Sequence, residues 1–110
     1  MFSALKSLVS PPSSAMVESA RRDVAEKAAV CRGIFFAARE LARQRVYGPP
    51  LESLLERAGD TIGDIDSVLV ALDPVREAPT FAVAASLQRQ LEELQASITE
   101  RRRRRRSLAR

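Results

Sequence analysis

Six consecutive arginines, Arg101, Arg102, Arg103, Arg104, Arg105 and Arg106, are the residues of this sequence best equipped for chemistry, and that chemistry is the recognition of anions. A guanidinium group forks onto phosphate or carboxylate with paired hydrogen bonds. Four surfaces would suit the run: a nucleic-acid backbone, an acidic membrane face, an import receptor reading a nuclear signal, or an acidic protein surface, including the acidic middle of this chain or of a second copy. Nothing aromatic interleaves the arginines, so base stacking is not implied, and binding to RNA or DNA would be salt-dependent and blind to sequence. Like charges packed along one helix repel, so the segment is expected to fray beyond about Glu100 unless an anion orders it. Ser107 follows three arginines and precedes Leu108, which fits a basophilic serine kinase; a phosphate there would bring close to two negative charges into the basic patch and weaken its contacts.

Other chemistry has little footing. The chain has no histidine, which removes the commonest general base and metal ligand, and its only lysines are Lys6 and Lys27. No glycine-rich phosphate loop is present. Asp60, Asp64 and Asp66 lack the alternate-position oxygens and closing glutamate of a calcium loop, so helix capping and solvated surface account for them better. Glu92 and Glu93 are adjacent and point apart on a helix. No catalytic residue, metal or cofactor is expected, and the chain reads as a binding protein and not an enzyme.

The formal charge of +4 conceals a division into three parts: residues 1–50 sum to +4, residues 51–100 to −7 and residues 101–110 to +7. The basic character therefore belongs to the tail. One cysteine, Cys31, permits no internal disulfide and lies among apolar residues, where a small buried side chain is expected. The longest uncharged runs, residues 7–17 and 78–88, are eleven residues each, against the roughly 20 that a membrane-spanning helix needs.

The elements that must position the arginines are helical. From Ser14 to Tyr47 the residues Val17, Ala20, Val24, Ala28, Cys31, Phe35, Ala38, Ala42 and Val46 recur every three or four positions, which predicts one long helix over residues 14–47. Ser13 or Ser14 suits its N-cap, while Gly48 followed by Pro49 and Pro50 suits its end. Within it Ala29, Gly33 and Ala37 form a ridge of small residues that would admit a second helix, and Phe35 and Phe36 beside it are the expected hot spot for packing or for a protein partner. Two short helices follow, over residues 50–58 and 61–72, separated at Gly59, with Thr61 and Asp64 resembling a capping box. A strand over residues 68–72 has the right composition but no second strand to pair with. The last helix, over residues 80–104, carries Ala84, Leu87, Leu91, Leu94 and Ile98 at alternating steps of three and four, a coiled-coil seam of about two heptads.

These elements predict an all-α chain: a flexible or docking arm at 1–13, a helical domain at 14–100 and an arginine-rich tail at 101–110. The arm, with Phe2, Leu5, Leu8 and Val9, four serines and no acid, suits a mitochondrial targeting segment, a hydrophobic docking arm or a loosely ordered end. The expected architecture is an elongated antiparallel hairpin of the two long helices bridged by the two short ones. So small a body with such long apolar stripes points to a non-catalytic adaptor or assembly subunit. It would bind a protein partner or a second copy through Ala29, Gly33, Phe35, Phe36, Leu87, Leu91, Leu94 and Ile98, with the basic tail on an anionic surface. The alternative is an RNA-binding protein that grips through Arg101–Arg106. The expected setting is intracellular, with mitochondrial targeting and nuclear import both open.

Overall fold

The computed structural model describes residues 13–108, and among them the chain is all-helical, with three helices and no strand. Helix α1 spans Ser14–Arg43, α2 spans Pro49–Leu69 and α3 spans Ala78–Leu108. The targeting or docking segment considered above lies outside the described residues.

Helix α1 begins where Ser13, in an extended conformation, accepts a hydrogen bond through its hydroxyl from the amide of Met16. It ends earlier than the glycine suggested. Arg45 takes a left-handed backbone (φ 61°), so that the amide of Val46 donates to the carbonyl of Leu41 at 2.8 Å and that of Arg45 to Ala42 at 3.0 Å. That is the Schellman closure, built here on an arginine at a cost of about 1–2 kcal/mol relative to glycine. Gly48 instead stands at the N-cap of α2, which opens with Pro49 and Pro50 in the first turn, where the missing amides matter least.

The two short middle helices are one. Leu51, Ala58, Ile62, Ile65 and Leu69 are all buried and keep a single helical register across Gly59. Burying that continuous face outweighs the ~1 kcal/mol that a glycine costs inside a helix. Thr61 consequently caps nothing; its hydroxyl donates to the carbonyl of Arg57 one turn back, at 2.8 Å. Helix α2 stops at Leu69, and Asp73 organises the following turn by accepting from the amide of Val75 at 2.9 Å.

With one middle helix instead of two, the chain reverses direction twice and the two long helices run parallel, not antiparallel. Their contacts show it: Arg21 near the start of α1 meets Glu77 just before α3, while Arg39 and Arg43 near the end of α1 share a groove with Leu94, Ile98 and Arg101 late in α3. Between them α2 runs the other way. The stripes expected from sequence face inward: Val24, Ala28, Cys31, Phe35, Ala38 and Ala42 of α1, joined by Ile34, pack with the α2 face and with Ala84, Leu87, Leu91, Leu94 and Ile98 of α3. The bundle is a rod of 72 × 23 × 21 Å. Helix α3 would be about 46 Å long on its own, and no residue beyond Ile98 joins the core.

At the far end the α1–α3 alignment is locked by an ion pair. The Arg21 guanidinium donates twice to Glu77, from Nε at 2.8 Å and from Nη2 at 2.6 Å, and the Thr80 hydroxyl adds a third donor at 3.3 Å. Glu77 is the one buried charged residue among those described. The hydrogen bonds from Arg21 hold its carboxyl below the ordinary glutamate value of 4.5, against the opposing effect of burial. A carboxyl depressed in the folded state contributes stability that is present above its unfolded pKa and lost as pH falls through the folded one. The Glu77→Gln variant is therefore expected to melt at a lower temperature than the parent at pH 7, with the gap closing as the pH is taken below about 4.5; thermal melts across that range check it, and a pH-independent gap would remove the ion pair from the account.

Candidate anion-binding site

The arginine run does not fray at Glu100; α3 continues helically through it to Leu108. Glu100 accepts from Arg103 at 3.1 Å and from Arg104 at 3.3 Å, one turn ahead on the same helix. Those bonds, Arg103 first, hold the Glu100 carboxyl below its ordinary value. Cations in the last turns also meet the negative end of the helix dipole, and arginine is itself a good helix former. Together these effects offset the repulsion within the run. The other nine carboxylates of residues 51–100 do not pair with it: among the described residues Glu100 is the only carboxylate paired with an arginine of the run.

Because α3 runs parallel to α1 and outlasts it, its final turns pass beside the α1–α2 turn. Two clefts result. The first, about 640 Å³, brings Arg43, Arg45 and Tyr47 from the turn against Arg101, Arg104 and Arg105 of α3. The second, about 320 Å³, lies between Tyr47 and Arg102, Arg105 and Arg106. Among the described residues neither has a carboxylate in its lining. Arg43 is engaged by Glu40 at 2.6 Å and Arg104 by Glu100, but Arg45, Arg101, Arg102, Arg105 and Arg106 make no ion pair among the described residues.

The geometry of the turn is fixed by its backbone. The two Schellman hydrogen bonds hold Arg45 and Val46, and the amide of Glu52 donates to the carbonyl of Gly48 at 2.9 Å to start α2. Tyr47 sits half-buried between these anchors with one side against the core. The left-handed Arg45 thus closes α1 and at the same time borders the first cleft. Such an arrangement can present several guanidinium groups at once to phosphate or sulfate oxygens.

The other residues singled out from sequence fall in two groups. Phe35, Leu87, Leu91, Leu94 and Ile98, expected to meet a partner, are buried within this chain. Phe35 is wholly buried under the Arg39 guanidinium, 5.8 Å from the ring centre. Ala29, Gly33 and Phe36 instead lie on the outer side of α1, opposite the core, with Phe36 67% exposed and open space around Gly33, so the small-residue ridge admits no helix of this chain. Ser107 is exposed on the last turn of α3. Asp60, Asp64 and Asp66 are exposed along α2. Cys31 is fully buried with its Sγ 4.0 Å from the carbonyl of Ala58, and burial pushes the thiol above its ordinary value. In the sequence Arg43 and Arg45 read only as cations suited to the last turns of the long helix, and Tyr47 as its final residue; none of the three reads there as part of a site.

Scanned against protein-family models, curated proteins and solved structures, the chain matches none. No described helix is long and apolar enough to cross a membrane.

The contrast between the adjacent phenylalanines is open to measurement. Phe35→Ala is expected to cost about 3–5 kcal/mol of unfolding free energy, and Phe36→Ala less than about 0.5 kcal/mol; urea unfolding of the two variants, with similar losses for both as the contrary result, decides the matter.

Proposed function

We propose that this chain is a non-catalytic binding module that grips the phosphate backbone of nucleic acid with the basic end of its helical rod. The observation that carries the proposal is the convergence of two stretches, Arg43–Tyr47 and Arg101–Arg106, on clefts lined by arginines and, among the described residues, by no carboxylate. A free acidic patch on the same chain would have neutralised them, and among the described residues only Glu40 and Glu100 pair with these arginines. Guanidinium forks match phosphate oxygens with paired hydrogen bonds, and nothing about the helix supplies base-edge readout, so binding is insensitive to sequence.

Affinity is expected to fall steeply with salt. Five unpaired arginines neutralising about five phosphates give a slope of log K against log salt of roughly −3.5 on a single strand. Removing residues 101–110 should reduce that slope to about −1 or abolish binding. Fluorescence anisotropy with unrelated RNA and DNA oligonucleotides across a salt series makes the comparison; an unchanged slope after the deletion would exclude the arginine end as the grip.

A second reading, the helical adaptor, is favoured by a different face. Ala29, Val30, Gly33 and Phe36 are exposed together on the outside of α1, with Phe36 and Val30 more than half exposed. The long apolar stripes that first suggested an adaptor are buried within the chain, which leaves this shorter strip as the surface for a protein partner. Under that reading Phe36→Glu leaves the melting temperature within about 2 °C and breaks up whatever protein complex or self-association the parent forms in sedimentation velocity. Identical sedimentation of parent and variant at every concentration would dispose of it.

A further inference from the structure

We infer that the ligand of the basic end is single-stranded nucleic acid, with one base stacked on Tyr47 and neighbouring phosphates in the two clefts that it borders. The inference rests on the phosphate-binding reading above and adds what the arginines alone leave open, namely which polyanion.

Tyr47 borders both clefts. It shares the first with Arg45, Arg101 and Arg105 and the second with Arg102, Arg105 and Arg106, so that Arg105 also borders both. A chain molecule lying across both clefts therefore meets two sets of guanidinium groups with one aromatic ring common to them. That combination suits a nucleotide strand, whose phosphates are separated by bases able to swing clear of the backbone. The arginine run carries no aromatic residue within itself; the fold supplies one from more than fifty positions away. Aromatic rings set in a basic groove are the usual platform for unpaired bases, and they serve any base because each has a stacking face.

The ring is also held ready. The Schellman closure at Arg45 and the proline-started helix at Pro49 fix the backbone on both sides of Tyr47, and the core supports its inner side. A fixed ring loses little conformational entropy when a base settles on it. A duplex cannot use it, since paired bases offer the groove their edges and keep their faces in the stack. A polyanion without bases leaves the ring idle in the same way.

The test compares four probes with the full chain and its Tyr47 variants at one salt concentration: oligo(U), an abasic oligonucleotide of the same length, the corresponding duplex, and linear polyphosphate. Oligo(U) is expected to bind the parent roughly five- to a hundred-fold tighter than the abasic strand or polyphosphate. Tyr47→Leu, which keeps apolar bulk over the core, should lose that preference while binding polyphosphate as the parent does. Tyr47→Phe should retain it. Melting temperatures of both variants confirm that the fold is kept. Equal binding of oligo(U) by the parent and Tyr47→Leu, or a parent that prefers duplex or polyphosphate, overturns the single-strand inference and leaves phosphate binding intact. No salt-dependent binding of any probe overturns both.

Discussion

The bundle depends on a mismatch of lengths: the core ends at Ile98, while the helix that carries it continues for ten further residues. Up to that point each turn of α3 is tied to α1 and α2 by a buried leucine, isoleucine or alanine. Past it, no apolar contact helps to hold the helix. What maintains it there is electrostatic and local, the Glu100 pairs one turn back and the fit of cations to the negative end of the helix. The overhang places charged side chains beside the α1–α2 turn without burying any of them, so they keep their full reach.

Direction matters as much as length. Two reversals make α1 and α3 parallel, so both helices finish at the same end of the rod. Had the middle been two short helices and the long pair antiparallel, the arginine run would have emerged beside Ser14, next to Glu18 and Asp23, and been partly neutralised. The Arg21–Glu77 pair fixes the opposite end and so sets the register in which Ala42 lies level with Ile98. Exposed pairs such as Lys27–Asp23 add little to this, being local to one helix.

Much of the fold could be read from the residues. The spacing of Val24, Ala28, Cys31, Phe35, Ala38 and Ala42 marks α1, and that of Ala84 to Ile98 marks the buried face of α3, because helical burial has a period that the sequence displays directly. Ile34 escaped because only one residue per turn was counted. Gly59 misled, since glycine stops a helix in isolation but is overridden when the same apolar register resumes on its far side. The end of α1 was placed at Gly48 for a related reason: the left-handed position went to Arg45, against local preference. The basic clefts were illegible for a different cause. Arg43, Arg45 and Tyr47 acquire their relation to Arg101–Arg106 only through the parallel run of the two long helices, and no local pattern encodes that direction.

The rod is also unevenly charged along its axis. Asp60, Asp64, Asp66 and Asp73 lie towards the end that holds the Arg21–Glu77 lock, while the unpaired guanidinium groups crowd the other. A body with such a lengthwise dipole turns in the field of a polyelectrolyte before it touches it. It would arrive tip first and stand upright on the strand, occupying a footprint set by its 21–23 Å girth, with the outer side of α1 and its Phe36 left facing sideways towards whatever stands next to it.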